Sequence, residues 1–392
     1  MSPITTTPAP MDEHAQPGGR AVTRLGRWLA AGTGYLAMLT AVGGLLAFLA
    51  YAIGGWQITT GSVNVIDQGF SWLRADSWGV TLLQTGNLVL DVLVLAVALY
   101  TAYGIAGRPA LVPALAGGMT AMSLHTGYLG GLAAGILAGA ATRALHKITV
   151  PAKWRPFMAK AVIPLTVTLF TAVVFFCALL APRLGRLNTW LYGWLTHLEL
   201  TDQHVALGLL LGLMVCCDFG GVFKKIAYAY ALAGLGSYLP TPDHLTFMAV
   251  VVAAGMVPPL GLSLATLVRR GLFSEAERNY GKVAWLLGLI PVSAAAVPFA
   301  LRDPLRVIPA AMAGGAVTGM LTITFGSSMA VPFGGIFAAD QVGRPLLFAA
   351  AVAAGVVVTA GVAVGLKSLR RAPAPVTPDA AVRSRAKVPA VS

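Results

Sequence analysis

Long apolar stretches alternate with short charged or proline-rich segments along most of the chain. A helix needs about 20 apolar residues to cross the hydrocarbon core of a bilayer. The pattern therefore predicts an all-α polytopic membrane protein with about 8–10 transmembrane helices. The predicted apolar runs are residues 28–53, 82–106, 111–123, 127–142, 161–182, 203–217, 226–239, 245–268, 283–301, 306–325 and 346–366.

Some of these runs are too short, or too rich in proline and glycine, for simple crossings. Pro291, Pro298 and Pro309 fall inside the late runs, and Gly334 and Gly335 stand between two of them. Backbone that is not helical survives at membrane depth only where it is buried in protein or lines a cavity. Interrupted helices are also where transporters place their binding sites. We therefore expect re-entrant hairpins late in the chain.

The positions of the charged residues predict the orientation. Lysine and arginine concentrate on the cytoplasmic side of membrane proteins. Basic clusters at residues 143–160 and 269–282 therefore indicate cytoplasmic loops. Both termini are predicted to be cytoplasmic, because cations flank the first and last runs at Arg20, Arg24, Arg27, Lys367, Arg370 and Arg371.

Five regions follow from these patterns. Residues 1–20 and 369–392 are polar or proline-rich and are predicted to be disordered cytoplasmic tails. Residues 21–202 form an N-terminal membrane part, and residues 203–368 a C-terminal membrane part with the substrate-site hairpins. Within the first part, residues 183–200 mix arginine, aromatic residues and leucine, which predicts an amphipathic helix at the membrane interface.

The composition narrows the function. Apolar residues make up 57% of the chain and charged residues 10%, which excludes an ordinary soluble enzyme. The net charge of +13 is distributed in short clusters between the runs, so nucleic acid is not an expected partner. Cys177, Cys216 and Cys217 lie inside apolar runs without metal-ligand spacing and are expected to be small buried hydrophobes. The expected partners are the lipid bilayer and a small-molecule substrate, and we expect no cofactor and no metal.

Ionisable residues within a membrane are costly, and they commonly mark functional sites. The first candidate segment contains Asp218, Gly220, Gly221, Lys224 and Lys225. An internal ion pair would suit a binding site there. The alternative is a helix end whose lysines extend to the membrane surface.

Three further segments are candidates. Adjacent prolines, Pro258 and Pro259, remove two amide donors and free carbonyl groups for a ligand, or they only kink a helix. A polar island between two runs is either a site wall or a self-neutralising charge cluster. A glycine turn follows at residues 332–337, where a purely structural role is favoured. The island contributes Pro298, Phe299, Asp303 and Arg306, and the turn contributes Phe333, Gly334 and Gly335.

These segments resemble the membrane component, enzyme IIC, of the fructose-type bacterial sugar phosphotransferase system. Residues 255–261 read Gly-Met-Val-Pro-Pro-Leu-Gly, and residues 303–309 read Asp-Pro-Leu-Arg-Val-Ile-Pro, as in that family. Residues 218–221 and 334–337 match two further family motifs, and the resemblance covers about residues 25–368. It implies an enzyme IIC-like elevator fold in the bacterial plasma membrane, a homodimer formed through an N-terminal scaffold, and a sugar bound between re-entrant hairpins.

The departures from the family concern the sugar site. The resemblance places the sugar-binding glutamate of the family at Ala294, its histidine at Phe333 and an asparagine at Lys224. Each lost hydrogen bond to a charged group costs about 1.5–3 kcal/mol, or a factor of about 10 to 150 in affinity. No phosphocysteine or phosphohistidine domain is expected on this chain. The site is therefore expected to be more apolar and more cationic than that of a fructose permease.

Three functions remain open. The favoured one is an enzyme IIC-like transporter of a small organic solute that is not coupled to sugar phosphorylation on this chain. The second is a fructose-type permease that works with separate phosphocarrier subunits. The third is a membrane enzyme acting on an amphipathic or anionic substrate such as an isoprenoid diphosphate, with Lys224, Lys225 and Arg306 on the phosphates.

Overall fold

The computed structural model describes residues 21–59, 71–148, 151, 157–235 and 242–369, with side chains from residue 35 onward. Of the predicted disordered tails, 1–20 and 369–392, all residues except Leu369 lie outside the described part of the chain.

The described part of the chain is almost entirely helical. Short 3-10 or π-helical segments and one two-stranded antiparallel ladder, β1 (Ser328–Met329) with β2 (Val342–Gly343), connect the α-helices. The α-helices are α1 (Ala21–Gly54), α2 (Ala75–Ala106), α3 (Leu111–Ser123), α4 (Gly127–Leu145), α5 (Ile163–Thr168), α6 (Ala181–Leu200), α7 (His204–Cys217), α8 (Val222–Leu235), α9 (Pro242–Val268), α10 (Glu275–Leu289), α11 (Val297–Arg302), α12 (Pro304–Thr324) and α13 (Pro345–Ser368).

Seven helical stretches among the described residues are long and apolar enough to cross a membrane. This confirms the predicted all-α polytopic membrane protein. Helices α3, α7 and α8 have 13, 14 and 14 residues and are too short to cross alone. The seven stretches are Tyr35–Gly54, Ala75–Ala106, Gly127–Leu145, Ile163–Leu200, Pro242–Val268, Pro304–Thr324 and Pro345–Ser368.

The chain folds into two compact units that do not follow the expected division at residues 202 and 203. One unit contains the chain up to Met38 and Asp91–Arg183, and the other contains Leu39–Leu90 and Leu184–Ser392. The second half of α1 and the first half of α2 belong to the second unit. Side chains of these two half-helices form a core with residues that come late in the chain. That core contains Ala47, Ala50, Tyr51, Ile58, Val80 and Ile290. The scaffold role of the N-terminal part stays a prediction.

The first unit is built on small residues. Ala102, Ala110, Ala114 and Ala138 are fully buried between α2, α3, α4 and α5, and small side chains allow helix backbones to approach closely. Cys177, on a π-helical stretch, is exposed, so its predicted burial is wrong. Its side chain lies on an outward apolar face of that helix.

Helix α6 contains the predicted amphipathic segment. Leu191, Leu195 and Leu198 are buried on one face, whereas Trp190 and Trp194 are exposed and stack on each other at 5.7 Å. The segment is therefore an amphipathic helix, and its position at the membrane interface stays a prediction.

The contact between α7 and α12 depends on glycine. A Cβ atom on Gly208 would lie 2.6 Å from the carbonyl oxygen of Gly319, and Gly212 meets Gly315 in the same way. Backbones this close exclude any side chain, so these glycines set the distance between the two helices.

Residues 218–221 interrupt the helical chain between α7 and α8. Phe219 and Gly220 have φ values of 47° and 121°. The buried carboxylate of Asp218 accepts hydrogen bonds from the amides of Phe223 (2.7 Å) and Lys224 (3.3 Å). Asp218 therefore caps the start of α8.

A second interruption follows α10. The predicted run 283–301 is not one helix, because it breaks at residues 290–296 and continues as α11. Pro291 cannot donate to a helical hydrogen bond, so the break begins there. The hydroxyl of Tyr280 donates to the carbonyl of Ala295 (2.9 Å) and lies 3.1 Å from Thr40 Oγ1. The broken helix expected from the proline pattern is confirmed.

The glycine turn packs against this second interruption. Gly334 and Gly335 adopt φ values of 109° and 53°, which favour glycine. A Cβ atom on Gly335 would lie 2.8 Å from the Cα atom of Ile290. Phe337 packs edge-on against Phe48 at 5.2 Å, which anchors the turn to α1.

Ion pairs join the ends of α10, α12 and α13. Lys367 Nζ lies 3.0 Å from Glu277 Oε1, and both side chains are less than a tenth exposed. Arg306 donates to both oxygens of Asp303 (3.0 and 2.9 Å) and through Nε to the carbonyl of Leu366 (2.9 Å). Within the polar island, Asp303 and Arg306 thus neutralise each other. This agrees with the second of the two interpretations of the island, a self-neutralising charge cluster.

We predict that Glu277→Gln destabilises the protein by about 3–5 kcal/mol, because it leaves the buried ammonium of Lys367 without a carboxylate. Burial alone would raise the pKa of Glu277, but Lys367 and the hydrogen bonds from Ser274 outweigh it and hold the pKa below its ordinary value. This stabilisation is present above pH of about 4.3 and is lost as the pH falls further. Unfolding in detergent, followed by tryptophan fluorescence at pH 7 and at lower pH, measures both effects.

The matched control is Glu275→Gln, which removes an exposed carboxylate from the same helix turn. Equal unfolding midpoints for the two variants at pH 7 would contradict the assigned ion pair.

We predict that Asp218→Ala destabilises the protein by about 0.5–2 kcal/mol, because two amides at the start of α8 lose their acceptor. Asp218→Asn keeps an acceptor oxygen and is expected to lose less. Thermal unfolding of both variants checks the order. An equal loss for the Asn and Ala variants would show that the charge of Asp218, and not its role as a cap, is what matters.

Candidate functional site

An open cavity of about 400 Å³ lies where the two interrupted segments meet α1, α2 and the glycine turn. The cavity belongs entirely to the second compact unit. Its lining residues are Ala47, Tyr51, Ile58, Thr59, Val80, Leu83, Gln84, Asn87, Leu90, Phe219, Gly220, Lys224, Ile290, Pro291, Val292, Ser293, Ala294 and Phe333.

Four residues predicted for the site line this cavity. Gly220 and Lys224 come from the first interruption and the start of α8, Ala294 from the second interruption, and Phe333 from the turn. They are up to 113 positions apart in the sequence, and only the packing of the interrupted segments brings them together.

Lys224 connects the two interruptions. Its Nζ donates to Ser293 Oγ (2.8 Å) and to the carbonyl of Pro291 (3.3 Å). Because Pro291 begins the second interruption, Lys224 satisfies a carbonyl group that no helix pairs. The ammonium therefore stabilises the wall of the cavity, and Lys224 also lines the cavity.

Aromatic rings form another wall. Phe333 stacks on Tyr228 with ring centroids 5.8 Å apart and an angle of 13° between the rings, and Nζ of Lys224 lies 5.2 Å from the centre of the Tyr228 ring. Tyr51 lines the cavity from α1. Phe333 thus contributes an apolar ring that is 43% exposed.

Sequence reasoning missed the polar groups of α2. Gln84 and Asn87 both line the cavity, and Thr59 and Ser293 add hydroxyl groups. The two amides are three residues apart in an apolar run, so they lie on one face of the helix. Polar residues at helical spacing inside a predicted membrane span were the signal that could have identified them.

Other predicted residues of the first two segments lie outside the cavity lining. Asp218 is used as a cap, and Gly221 and Lys225 do not line the cavity. Pro258 and Pro259 are buried within α9, which continues through them. Because Pro258 has no N–H, the carbonyl of Ala254 is freed, and it accepts a hydrogen bond from Cys216 Sγ (3.3 Å) rather than facing a ligand.

The remaining predicted residues are also structural in this conformation. Pro298 and Phe299 are buried at the start of α11. Asp303 and Arg306 pair with each other and do not line the cavity, so Lys224 is the only one of the three cations proposed to hold a diphosphate that lines it. Gly334 shapes the turn, and Gly335 lines a separate apolar cavity.

The arrangement is suited to holding a small polar molecule. It combines apolar and aromatic walls with a few hydrogen-bonding side chains, which is the usual composition of a ligand site. Among the described residues that line the cavity there is no carboxylate and no imidazole. The lining therefore lacks the side chains that most often act as general bases.

Comparisons with known proteins find relatives that match most of the chain. A family model described as "Phosphotransferase system, EIIC" matches residues 35–314. The "PTS system fructose-specific EIIC component" of Haloferax volcanii is 31% identical over 357 residues, covering 86% of this chain and 91% of the relative. The "Fructose-like permease IIC component 2" of Escherichia coli K12 is 38% identical over 295 residues, covering 74% and 79%.

A third relative has a longer chain. The "PTS system fructose-specific EIIABC component" of Bacillus subtilis is 36% identical over 279 residues, which cover 70% of this chain and 42% of the relative. The family match and these relatives extend over most of the sequence, and the fold is that of a multi-pass membrane protein. This chain therefore belongs to the EIIC family of the phosphotransferase system.

Proposed function

We propose that this chain is a permease that moves a small polyhydroxylated solute of the sugar class through the cavity at Lys224. One observation carries the proposal. Gln84, Asn87, Ser293 and Lys224 come from three separate parts of the chain and present hydrogen-bonding groups to one cavity with aromatic walls. Such convergent polar groups give a pocket its specificity for a ligand with several hydroxyls.

The sugar class is supported by the relatives. The names of those from Haloferax volcanii, Escherichia coli and Bacillus subtilis all refer to fructose or a fructose-like solute. The Gln84 and Asn87 amides offer donors and acceptors that partly offset the loss of the family glutamate at Ala294.

We further propose that passage through this chain does not require phosphorylation of the solute. The support is the lining itself, in which neither a carboxylate nor an imidazole occurs among the described residues. A hydroxyl that accepts a phosphoryl group usually needs such a base. A coupled sugar permease with separate phosphocarrier subunits is the second candidate, favoured by the "EIIABC" name of the Bacillus subtilis relative.

The transport cycle and topology belong to the same proposal. The unit formed by residues 39–90 and 184–392 would carry the solute, since it contains the whole cavity. Both termini would be cytoplasmic, because basic residues flank the first and last apolar runs. A homodimer through an N-terminal scaffold is what the family resemblance implies.

Uptake into proteoliposomes tests the proposed function. The purified chain is reconstituted without phosphocarrier proteins, and the entry of labelled D-fructose is followed against empty vesicles. We expect fructose to equilibrate across the membrane without accumulating. Fructose that enters only when phosphocarrier proteins and a phosphoryl donor are added, and then as a phosphate ester, would overturn the uncoupled proposal and establish the second candidate.

We predict that Gln84→Leu and Asn87→Leu each weaken the apparent affinity for the sugar about 2- to 10-fold, because each removes one hydrogen-bonding group from the cavity. The concentration dependence of uptake measures the change. Thr85→Val is the matched control, since Thr85 lies on the same helix but bonds to the carbonyl of Thr81 (2.8 Å) outside the lining. Unchanged affinity in both leucine variants would remove the sugar from this cavity.

A further inference from the structure

The Lys224 ammonium lies at the cavity wall, and the groups in direct contact with it are neutral. Its partners are the Ser293 hydroxyl, the Pro291 carbonyl and the face of the Tyr228 ring. An ammonium group has three N–H donors, so these two acceptors leave one donor for a molecule in the cavity.

The acidic residue nearest along the chain, Asp218, attracts this charge but forms no ion pair with it. Asp218 accepts hydrogen bonds from the Phe223 and Lys224 amides at the start of α8. Throughout the described part of the chain, no carboxylate oxygen lies within ion-pair distance of Lys224 Nζ. The cavity lining therefore carries a net positive charge.

Two other cations of the same unit show the contrast. Lys367 lies 3.0 Å from Glu277, and Arg306 lies 2.9 Å from Asp303. Neither pair lines the cavity. Lys224 alone of these three has no carboxylate partner, and it is the one that faces an opening large enough for a solute.

A charge removed from water is costly unless an opposite charge compensates it. In a cavity that opens to solvent, the compensating charge can arrive with the ligand. An anionic group would gain a charge-assisted hydrogen bond from Lys224, which is stronger than a bond between neutral groups. A neutral sugar cannot compensate the ammonium in this way.

We propose that the cavity selects an anionic sugar derivative, whose phosphate or carboxylate lies on Lys224 and whose hydroxyls are held by Gln84 and Asn87. This inference rests on the proposed permease function and specifies its substrate class. A solute with one anionic end and several hydroxyls matches a site with one cation and separate amide groups. The volume of about 400 Å³ lies within the range of small-molecule sites.

Competition in the proteoliposome assay tests the substrate class. Labelled D-fructose, D-gluconate and glucose 6-phosphate are supplied separately, and each unlabelled compound is also tested as an inhibitor of the others. We expect wild-type protein to prefer at least one anion over fructose by about 10-fold or more. Gluconate and glucose 6-phosphate distinguish a carboxylate from a phosphate ligand.

Substitutions of Lys224 test whether its positive charge causes the preference for the anion. Lys224→Asn should weaken the apparent affinity for the preferred anion about 10- to 150-fold, and by at least several-fold more than it weakens the affinity for fructose. Lys224→Arg keeps the positive charge and should retain the preference for the anion. Lys282→Asn removes an exposed cation of α10 outside the lining and should leave all affinities unchanged.

The outcomes separate this inference from the proposed function. If wild-type protein transports fructose and neither anion is transported or competes, the anionic class is wrong and the permease function stands. If Lys224→Asn lowers the affinities for fructose and for the anion equally, Lys224 does not discriminate between anionic and neutral ligands, and the inference is overturned. If no sugar of either kind is transported, the permease function fails and the inference fails with it.

Discussion

Non-helical backbone inside a bilayer must find its hydrogen-bond partners within the protein, because hydrocarbon offers none. Buried backbone in general has the same requirement, and the non-helical residues 218–221 and 290–296 meet it within the protein. Asp218 caps α8, Lys224 donates to the Pro291 carbonyl, and the Tyr280 hydroxyl donates to the Ala295 carbonyl. The interruptions can therefore persist only while they pack against each other and against the neighbouring helices.

The groups that satisfy the backbone also define the site. Lys224 pairs with the second interruption and at the same time lines the cavity. Gly335 allows the glycine turn to approach Ile290, and Phe333 of the same turn lines the cavity. Structural support and ligand recognition are thus carried by the same few contacts, so the geometry of the site follows from the packing of the broken segments.

Other charged side chains of the second unit connect the ends of helices. Glu277 and Lys367 are 90 residues apart, and Arg306 reaches a carbonyl 60 residues away. From the sequence, Asp303 and Arg306 form a polar island as suitable for a site as the segment around Lys224. Arg306 is paired locally with Asp303, whereas the partners of Lys224, the Pro291 carbonyl and the Ser293 hydroxyl, lie 67 and 69 positions away. Hydrophobic patterns contain no information about such distant contacts.

The sequence by itself determined the class of protein, the helical runs and the places where proline and glycine interrupt them, because these depend on local backbone chemistry and on the length a bilayer requires. It also pointed to Gly220, Lys224, Ala294 and Phe333, through the family motifs. Only the tertiary structure decided that α2 supplies Gln84 and Asn87, and that residues 39–90 belong with the C-terminal helices. The physical reason is that the direction and partner of a side chain depend on which helices pack together, and that contact joins residues far apart in the chain.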